Sequence, residues 1–348
     1  MSTPRTDRRV PGPAALRGSV NYLIALGCAH SLPLAVLLLL ALLAMALSLA
    51  VGSVALPASE LLAVLGGGGE PLSRLLVLEL RLPRSLAAFA TGGLLALSGA
   101  LMQVLLRNPL ADPYVLGLSG GAAVGALLAM LAGLGAGVVT GSAFAGALLS
   151  MVVVFGLAHG TGSWTPTRLL LTGVVVAAGW GAVITFLLVL APADRLPGML
   201  YWLMGDLAYA STPWIAGLAL VAGCLLLFPF AGSLNVLARG PLQAAALGVA
   251  VRPLTWSILA LASLLTAVAV TTAGSIGFVG LVVPHMLRMV LGNDQRLLLP
   301  ATALAGGTLL VLADTAARTL LAPEQLPVGV ITALLGVPTF LYLLYRSR

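Results

Sequence analysis

Side chains capable of acid–base, nucleophilic or metal chemistry are few in this sequence and lie far apart. The histidines are His30, His159 and His285, and the cysteines are Cys28 and Cys224. These residues show neither the spacing of a zinc site nor that of a CxxC motif or a disulfide framework. We therefore predict no catalytic residue, no metal site and no cofactor, and we assign the cysteines to apolar packing.

The basic residues are all of one type. The chain has 17 Lys+Arg residues, and every one is an arginine. Without lysine the chain cannot hold the GxxxxGK phosphate loop of an ATPase or a Schiff-base lysine. If ATP drives the activity of this protein, another polypeptide must hydrolyse it.

The composition is that of a protein embedded in lipid. Hydrophobic residues make up 60% of the 348 residues, charged residues make up 8%, and the mean hydropathy is +1.11. A water-soluble globule of this length could not cover itself with polar surface. The sequence therefore predicts an all-α integral membrane protein with about ten transmembrane helices.

Apolar runs of bilayer-spanning length give these ten candidates. They are residues 30–53, 82–106, 114–133, 137–158, 168–190, 213–232, 254–273, 275–292, 298–320 and 327–346. Only glycine-rich seams divide the pairs within 114–158 and 254–292, which leaves nine or eleven spans as alternatives. Ionisable residues are scarce in the middle of the spans, which argues against a proton-driven carrier but not against a sodium-coupled one.

The distribution of arginine orients the chain in the membrane. We interpret residues 1–29 as a basic cytoplasmic tail without a cleavable signal, and residues 30–348 as the transmembrane domain. With both termini in the cytoplasm, twelve of the 17 arginines fall inside and five fall outside, as the positive-inside rule requires. The net charge of +7 is then a property of the inner face and does not indicate nucleic-acid binding.

An irregular turn interrupts the stretch 98–128. Pro109 and Pro113 stop a helix there, and such backbone is tolerated at membrane depth only inside protein or beside a polar cavity. Gly117 and Gly121 follow at a spacing that lets a neighbouring helix approach closely. The turn is either a plain hairpin between packed helices or part of a gate at the inner mouth of a transport pathway. The residues we predict for this gate and pathway are Asn108, Pro109, Leu110, Asp112, Gly117 and Gly121.

A second unusual stretch is the long inner loop at about 234–255. Residues 243–247 favour helix and lie between Gly240-Pro241 and Gly248, which predicts one or two short helices at the inner surface. Loops of this length are usually functional or disordered. We interpret this one as a docking element for a partner.

Five motifs in order then carry a resemblance to a known family. They are RLPR at 81–84, RNPLADP at 107–113 with the following GLSGGAAVG, YWLMG at 201–205, GSIGFVGLVVPHMLR at 274–288 and LPVGVIT at 326–332. In these segments, from Arg81 to Leu343, the chain resembles the FecCD-type permeases of ABC importers for ferric siderophores, haem and vitamin B12. Two departures stand out: Pro241 replaces a common acidic residue, and Pro197 replaces a common arginine.

The resemblance implies a type II ABC importer permease architecture in the bacterial cell inner membrane. It implies a homodimer, two separate ABC ATPase subunits on the cytoplasmic face and a periplasmic substrate-binding protein. By the same resemblance Arg81, Arg84 and Arg318 would receive carboxylates of that binding protein at the outer rim. The ATPase-coupling residues would be Arg239, Leu242, Ala246, Leu247, Gly248 and Val249.

These expectations lead to one reading with several alternatives. The first reading is a non-enzymatic permease subunit that moves an iron complex, either haem or a ferric siderophore, into the cytoplasm. Vitamin B12 is the alternative cargo. An ion-coupled secondary transporter and a membrane assembly subunit are the alternative classes.

Overall fold

The computed structural model describes residues 13–52, 54, 56–159, 165–208, 210 and 213–346, and the regular elements of this part are all helical. The α-helices, in chain order, are α1 (Pro13–Ala50), α2 (Ala58–Leu65), α3 (Pro71–Arg74), α4 (Leu82–Leu106), α5 (Leu118–Leu131), α6 (Ala136–His159), α7 (Pro166–Val189), α8 (Leu196–Met204), α9 (Pro213–Leu227), α10 (Ala231–Leu237), α11 (Pro241–Ala246), α12 (Val251–Ala273), α13 (Val279–Leu291), α14 (Gln295–Thr319) and α15 (Val328–Arg346). A π-helical segment, Leu75–Arg81, leads directly into α4. Single turns of 3₁₀ helix lie at Pro113–Leu116 and Phe228–Phe230.

The predicted all-α membrane fold is confirmed. In the described part, eight helices are long and apolar enough to cross a bilayer, and the shorter apolar helices α5 and α13 occupy the predicted third and eighth spans. The first helix starts at Pro13, earlier than the predicted span at residue 30, although its membrane-length apolar part is Ser31–Ala50. Residues 1–12 of the predicted tail lie outside the described part. Below, the inner face is the end of the bundle where α4 and α13 finish, which the sequence predicts to be cytoplasmic.

Helix α4 is the centre of the bundle. It packs against α9, α12, α13 and α14, and 94% of its most apolar window is buried. Glycines bring the neighbours to backbone contact: a Cβ on Gly92 would lie 2.2 Å from the carbonyl oxygen of Gly306, and a Cβ on Gly99 would lie 1.8 Å from that of Gly280. Small residues are what permit such approaches between membrane helices.

Two breaks in the helical pattern meet beside α4. The first is the segment that ends in the 3₁₀ turn before α5, and the second is the extended stretch before α13, where Phe278 has a φ of 69°. The backbone N–H of Ile276 donates to the Tyr114 hydroxyl at 3.1 Å, and Pro113 lies against Gly280. Each break therefore shields the other. Irregular backbone is tolerated away from water only where other parts of the protein cover it in this way.

The first prediction tests the contact between α4 and α14. Gly92→Ala places a methyl group against the Gly306 carbonyl, so we expect a loss of about 2 kcal/mol from overpacking. Gly217→Ala in α9 is the matched control, because its Cβ meets nothing within 4 Å and alanine favours helix. Thermal unfolding of the detergent-solubilised permease gives the measurement. Equal stability of the two variants would contradict the close packing described here.

Candidate functional site

A buried carboxylate joins two arginines at the outer end of α4 and α14. Asp314 is fully buried, and its Oδ1 accepts hydrogen bonds from Arg84 Nη2 at 2.8 Å and Arg84 Nε at 3.0 Å. Arg318 Nε lies 3.0 Å from the other oxygen, Oδ2. Arg318 also donates to Ser48 Oγ at 2.8 Å, and Ser48 shares a hydrogen bond with Ser85. This outer charge cluster ties α1, α4 and α14 together.

Arg81 has a different role in the same region. Its guanidinium group donates to the carbonyl oxygens of Leu49 at 2.7 Å and Ala50 at 3.0 Å, and also to that of Val54. These carbonyls lie at and just beyond the end of α1, where a helix leaves acceptors unpaired and carries partial negative charge. Arg81 therefore caps α1.

Arg81 and Arg318, two of the three arginines predicted to receive the binding protein, are buried in the described chain. Their exposed fractions are 6% and 5%, because the α1 carbonyls hold one and Asp314 with Ser48 holds the other. Arg84 is the more open of the three, since its side chain is 12% exposed. The docking role of the three arginines stays a prediction, and the greater exposure of Arg84 makes it the most accessible of them.

Arg84 also faces the end of helix α8. Its Nη1 donates to Gln325 Oε1 at 2.8 Å, and its Nη2 lies 3.8 Å from Asp206 Oδ1. Burial raises the pKa of Asp206, while the N–H of Ala208 and the charge of Arg84 oppose that rise. Arg84 is thus shared among Asp314, Asp206 and Gln325.

The polar residues of the predicted gate shape their own turn. Asn108 Oδ1 accepts from the backbone N–H of Leu110 at 2.9 Å, and Asp112 Oδ1 accepts from that of Tyr114 at 2.7 Å. Asn108 and Pro109 are exposed, and Leu110 and Asp112 are half-buried. Pro109 also lines a cavity at the inner face. The gate role of this turn stays a prediction.

Gly117 and Gly121 lie in a different environment from the rest of the predicted gate. Both are buried, and a Cβ on Gly121 would lie 2.4 Å from the Gly146 carbonyl oxygen on α6. Ser150 Oγ donates to the Gly117 carbonyl oxygen at 2.9 Å and accepts from Trp180 Nε1 at 2.9 Å. Gly121 sets the distance between α5 and α6, and it also lines a cavity of about 440 Å³ beside Trp180. The pathway role of both glycines stays a prediction.

The predicted coupling loop does form short helices, α10 and α11. Ala244 is buried and anchors α11, whereas Leu242 and Leu247 are 86% and 70% exposed. Arg239, Ala246 and Gly248 are also exposed, and Val249 is half-buried. The described chain thus presents two large apolar side chains at the inner face without covering them.

Both sequence departures start helices. Pro241 and Pro197 lie in the first turns of α11 and α8. Proline is well suited to that position, because its missing N–H would have no intrahelical partner there. Each proline is therefore compatible with the short helix in whose first turn it lies.

The chain is similar to known membrane permeases over most of its length. The chain matches the FecCD transport family over residues 38–346. It belongs to the FecCD transport family. It is 42% identical over 289 residues to the cobalamin import system permease protein BtuC of Halobacterium salinarum, covering 81% of this chain and 76% of that protein. It is 41% identical over 278 residues to the hemin transport system permease protein HmuU of Yersinia pestis, covering 78% and 83%.

A solved structure supports the same assignment. A metal-chelate type ABC transporter in an inward-facing conformation matches with a TM-score of 0.79 and 30% identity, covering 91% of this chain and 99% of that one. The chain is therefore the permease subunit of an ABC importer of the FecCD family.

Sequence reasoning missed several residues that organise this FecCD permease. Ser48, Tyr114, Ser150 and Trp180 each make a hydrogen bond between distant elements. Serine, tyrosine and tryptophan are common in membrane spans, so their residue types alone did not predict these hydrogen bonds. The one available signal was the position of Tyr114 between a proline and the glycine series.

The second prediction concerns the carboxylate of the outer charge cluster. Asp314→Asn leaves two guanidinium groups in the interior without their counter-charge, so we expect the folded FecCD permease to lose about 3 kcal/mol. The control is Asp194→Asn, which changes an exposed carboxylate. Thermal unfolding in detergent compares the two variants. Wild-type stability of Asp314→Asn would show that the cluster contributes nothing to the fold.

Proposed function

We propose that this permease subunit carries an iron complex, either haem or a ferric siderophore, from the periplasm to the cytoplasm. The supporting observation is the similarity over most of the chain to a hemin permease and to a metal-chelate type transporter. Vitamin B12 is the second candidate cargo, because a cobalamin permease is similar to the same extent. The motifs of the chain do not separate a flat iron chelate from a corrinoid.

The chain works, in this proposal, within an assembly of several polypeptides. Two copies of the permease form a homodimer in the bacterial inner membrane, with both termini in the cytoplasm. The exposed apolar face of α7, of which only 11% of the most apolar window is buried, supplies surface for a second copy and for lipid. Two ABC ATPase subunits hydrolyse ATP at the inner face, and a periplasmic binding protein delivers the cargo.

The inner contact with the ATPase is assigned to α10, α11 and the residues that follow. Leu242 and Leu247 supply apolar surface, and the anchoring of Ala244 in the bundle gives α11 a firm base. A helix fixed in this way transmits a push from the ATPase to α10 and α12, which flank it in the chain. The turn from Asn108 to Asp112 lies at the same face and is assigned to the inner gate.

The outer contact with the binding protein is assigned to Arg84. It is the least enclosed member of the outer charge cluster, and guanidinium suits the bidentate capture of a carboxylate. Arg81 and Arg318 act from behind it by holding α1 and α14 in place. A carboxylate of the binding protein that docks on Arg84 would contact the same guanidinium group that lies near Asp206, just after α8.

The third prediction tests the coupling surface. Leu247→Asp puts an uncompensated charge into the proposed apolar contact, so the affinity for the ATPase subunit should fall at least about tenfold. Leu320→Asp is the matched control, since Leu320 is 63% exposed at the opposite face. Co-purification and titration of the detergent-solubilised complex measure the effect. Undiminished binding by Leu247→Asp would place the ATPase elsewhere.

The fourth prediction separates the cargoes and the transporter classes. Proteoliposomes that hold the permease with its ATPase, supplied with the binding protein, should import haem or a ferric siderophore only when ATP is present. The control is an ATPase variant whose phosphate-loop lysine is replaced by alanine. Import of cobalamin alone would select the second cargo. Import by the permease alone, driven by an ion gradient, would instead indicate a secondary transporter.

A further inference from the structure

A cavity of about 600 Å³ opens at the inner face beside the end of α4. Its walls come from α4, from α10, and from the end of α13 with the start of α14. Three arginines line it: Arg107 after α4, Arg239 after α10 and Arg288 on α13. We refer to it as the inner basic cavity.

The positive charge of this cavity is not balanced within the described part of the chain. Arg107, Arg239 and Arg288 take part in none of the ion pairs recorded there. The lining contains one carboxylate, Asp294, and its Oδ1 already accepts from Asn235 Nδ2 at 2.8 Å and from the backbone N–H at the start of α14. Three guanidinium groups in one cavity repel each other, so an anionic occupant would lower the energy of the site.

The buried polar atoms of the lining describe the occupant further. Gln103 and Gln295 are 2% and 1% exposed, and each has a side-chain oxygen without a hydrogen-bond partner in the described residues. Arg288 Nη2 is likewise buried without a partner. Burying such atoms unpaired costs free energy. A fitting occupant therefore brings both an anionic acceptor and hydrogen-bond donors.

This double requirement favours a protein segment over a free anion. An acidic side chain supplies the acceptor, and the backbone N–H groups around it supply donors. A fully ionised phosphate group supplies acceptors only.

The cavity is also continuous with the proposed ATPase contact. Arg239 lies on the cavity wall, and α11 with exposed Leu242 begins shortly after it in the chain. A partner that covers α11 therefore brings its neighbouring side chains to the mouth of the cavity. Apolar contact flanked by opposite charges is the usual arrangement at a specific interface, where the charges govern partner choice and association rate.

We propose that the inner basic cavity receives an acidic side chain of the ATPase subunit, held by Arg107, Arg239 and Arg288. This inference rests on the proposed function and adds a charged half to the apolar contact at α11. The three guanidinium groups come from the ends of α4 and α10 and from α13. One inserted carboxylate would therefore connect the ATPase to the central helix as well as to the coupling loop.

The test measures ATPase binding to the full-length permease over a range of salt concentrations. The double variant Arg107→Gln/Arg239→Gln changes exposed side chains and should fold normally, and Arg288→Gln tests the half-buried member. Each should weaken binding about tenfold at low ionic strength, and the difference from wild type should shrink as salt screens the charges. Arg296→Gln is the control, because Arg296 is exposed at the same face and does not line the cavity.

The outcomes separate this inference from the proposed function. If Leu247→Asp weakens binding and the cavity variants bind like wild type at low salt, the ATPase docks at α11 and the charged contact is wrong. If Leu247→Asp also has no effect, the proposed docking surface itself fails. A phospholipid that native mass spectrometry finds on the wild type but not on Arg288→Gln, with ATPase affinity unchanged, would assign the cavity to a headgroup and overturn the proposal.

Discussion

Backbone polar groups cannot be left unpaired where no water reaches them, and this constraint explains most of the architecture. Eight described helices meet it by length alone. The other two apolar segments are interrupted, so their free groups need partners from elsewhere in the chain. The Tyr114 hydroxyl takes the Ile276 N–H, and the Asp112 carboxylate takes the Tyr114 N–H. Helix α4 completes the arrangement, since its glycines let α13 and α14 pack at backbone distance.

Charge obeys the same constraint at the outer end of the bundle. Two guanidinium groups share the single carboxylate of Asp314, and a third takes the carbonyls around the end of α1. A buried ion pair gains little net stability over an apolar pair, but one partner without the other is expensive. The cluster therefore makes the relative placement of α1, α4 and α14 specific. It also shows that arginines at the outer end of a membrane bundle can stabilise the fold through contacts within the chain, which leaves less of the guanidinium surface for a partner.

The sequence predicted the helical elements well because hydrophobic run length is a local property. The apolar runs and the short helix between Gly240 and Gly248 correspond to observed elements. It predicted side-chain surroundings poorly, because those depend on residues far away in the chain. Spacing alone could not reveal that Arg81 meets Leu49 and Ala50, or that Gly121 faces Gly146. Local sequence patterns do not determine the cargo either, because the chain is similar to the same extent to a hemin permease and to a cobalamin permease.

The close contacts of α15 with the end of α8 and the start of α13 have a consequence for movement. A Cβ on Gly329 would lie 1.9 Å from the Met204 carbonyl oxygen, and one on Gly336 would lie 2.4 Å from Phe278 Cβ. Surfaces that fit this closely do not slide past each other by small steps, because each intermediate position would create clashes or voids. The end of α8, the start of α13 and helix α15 should then travel as one rigid body. Whatever hinge serves the transport cycle must lie outside this block, so that an opening at the outer end carries α8 and α15 together.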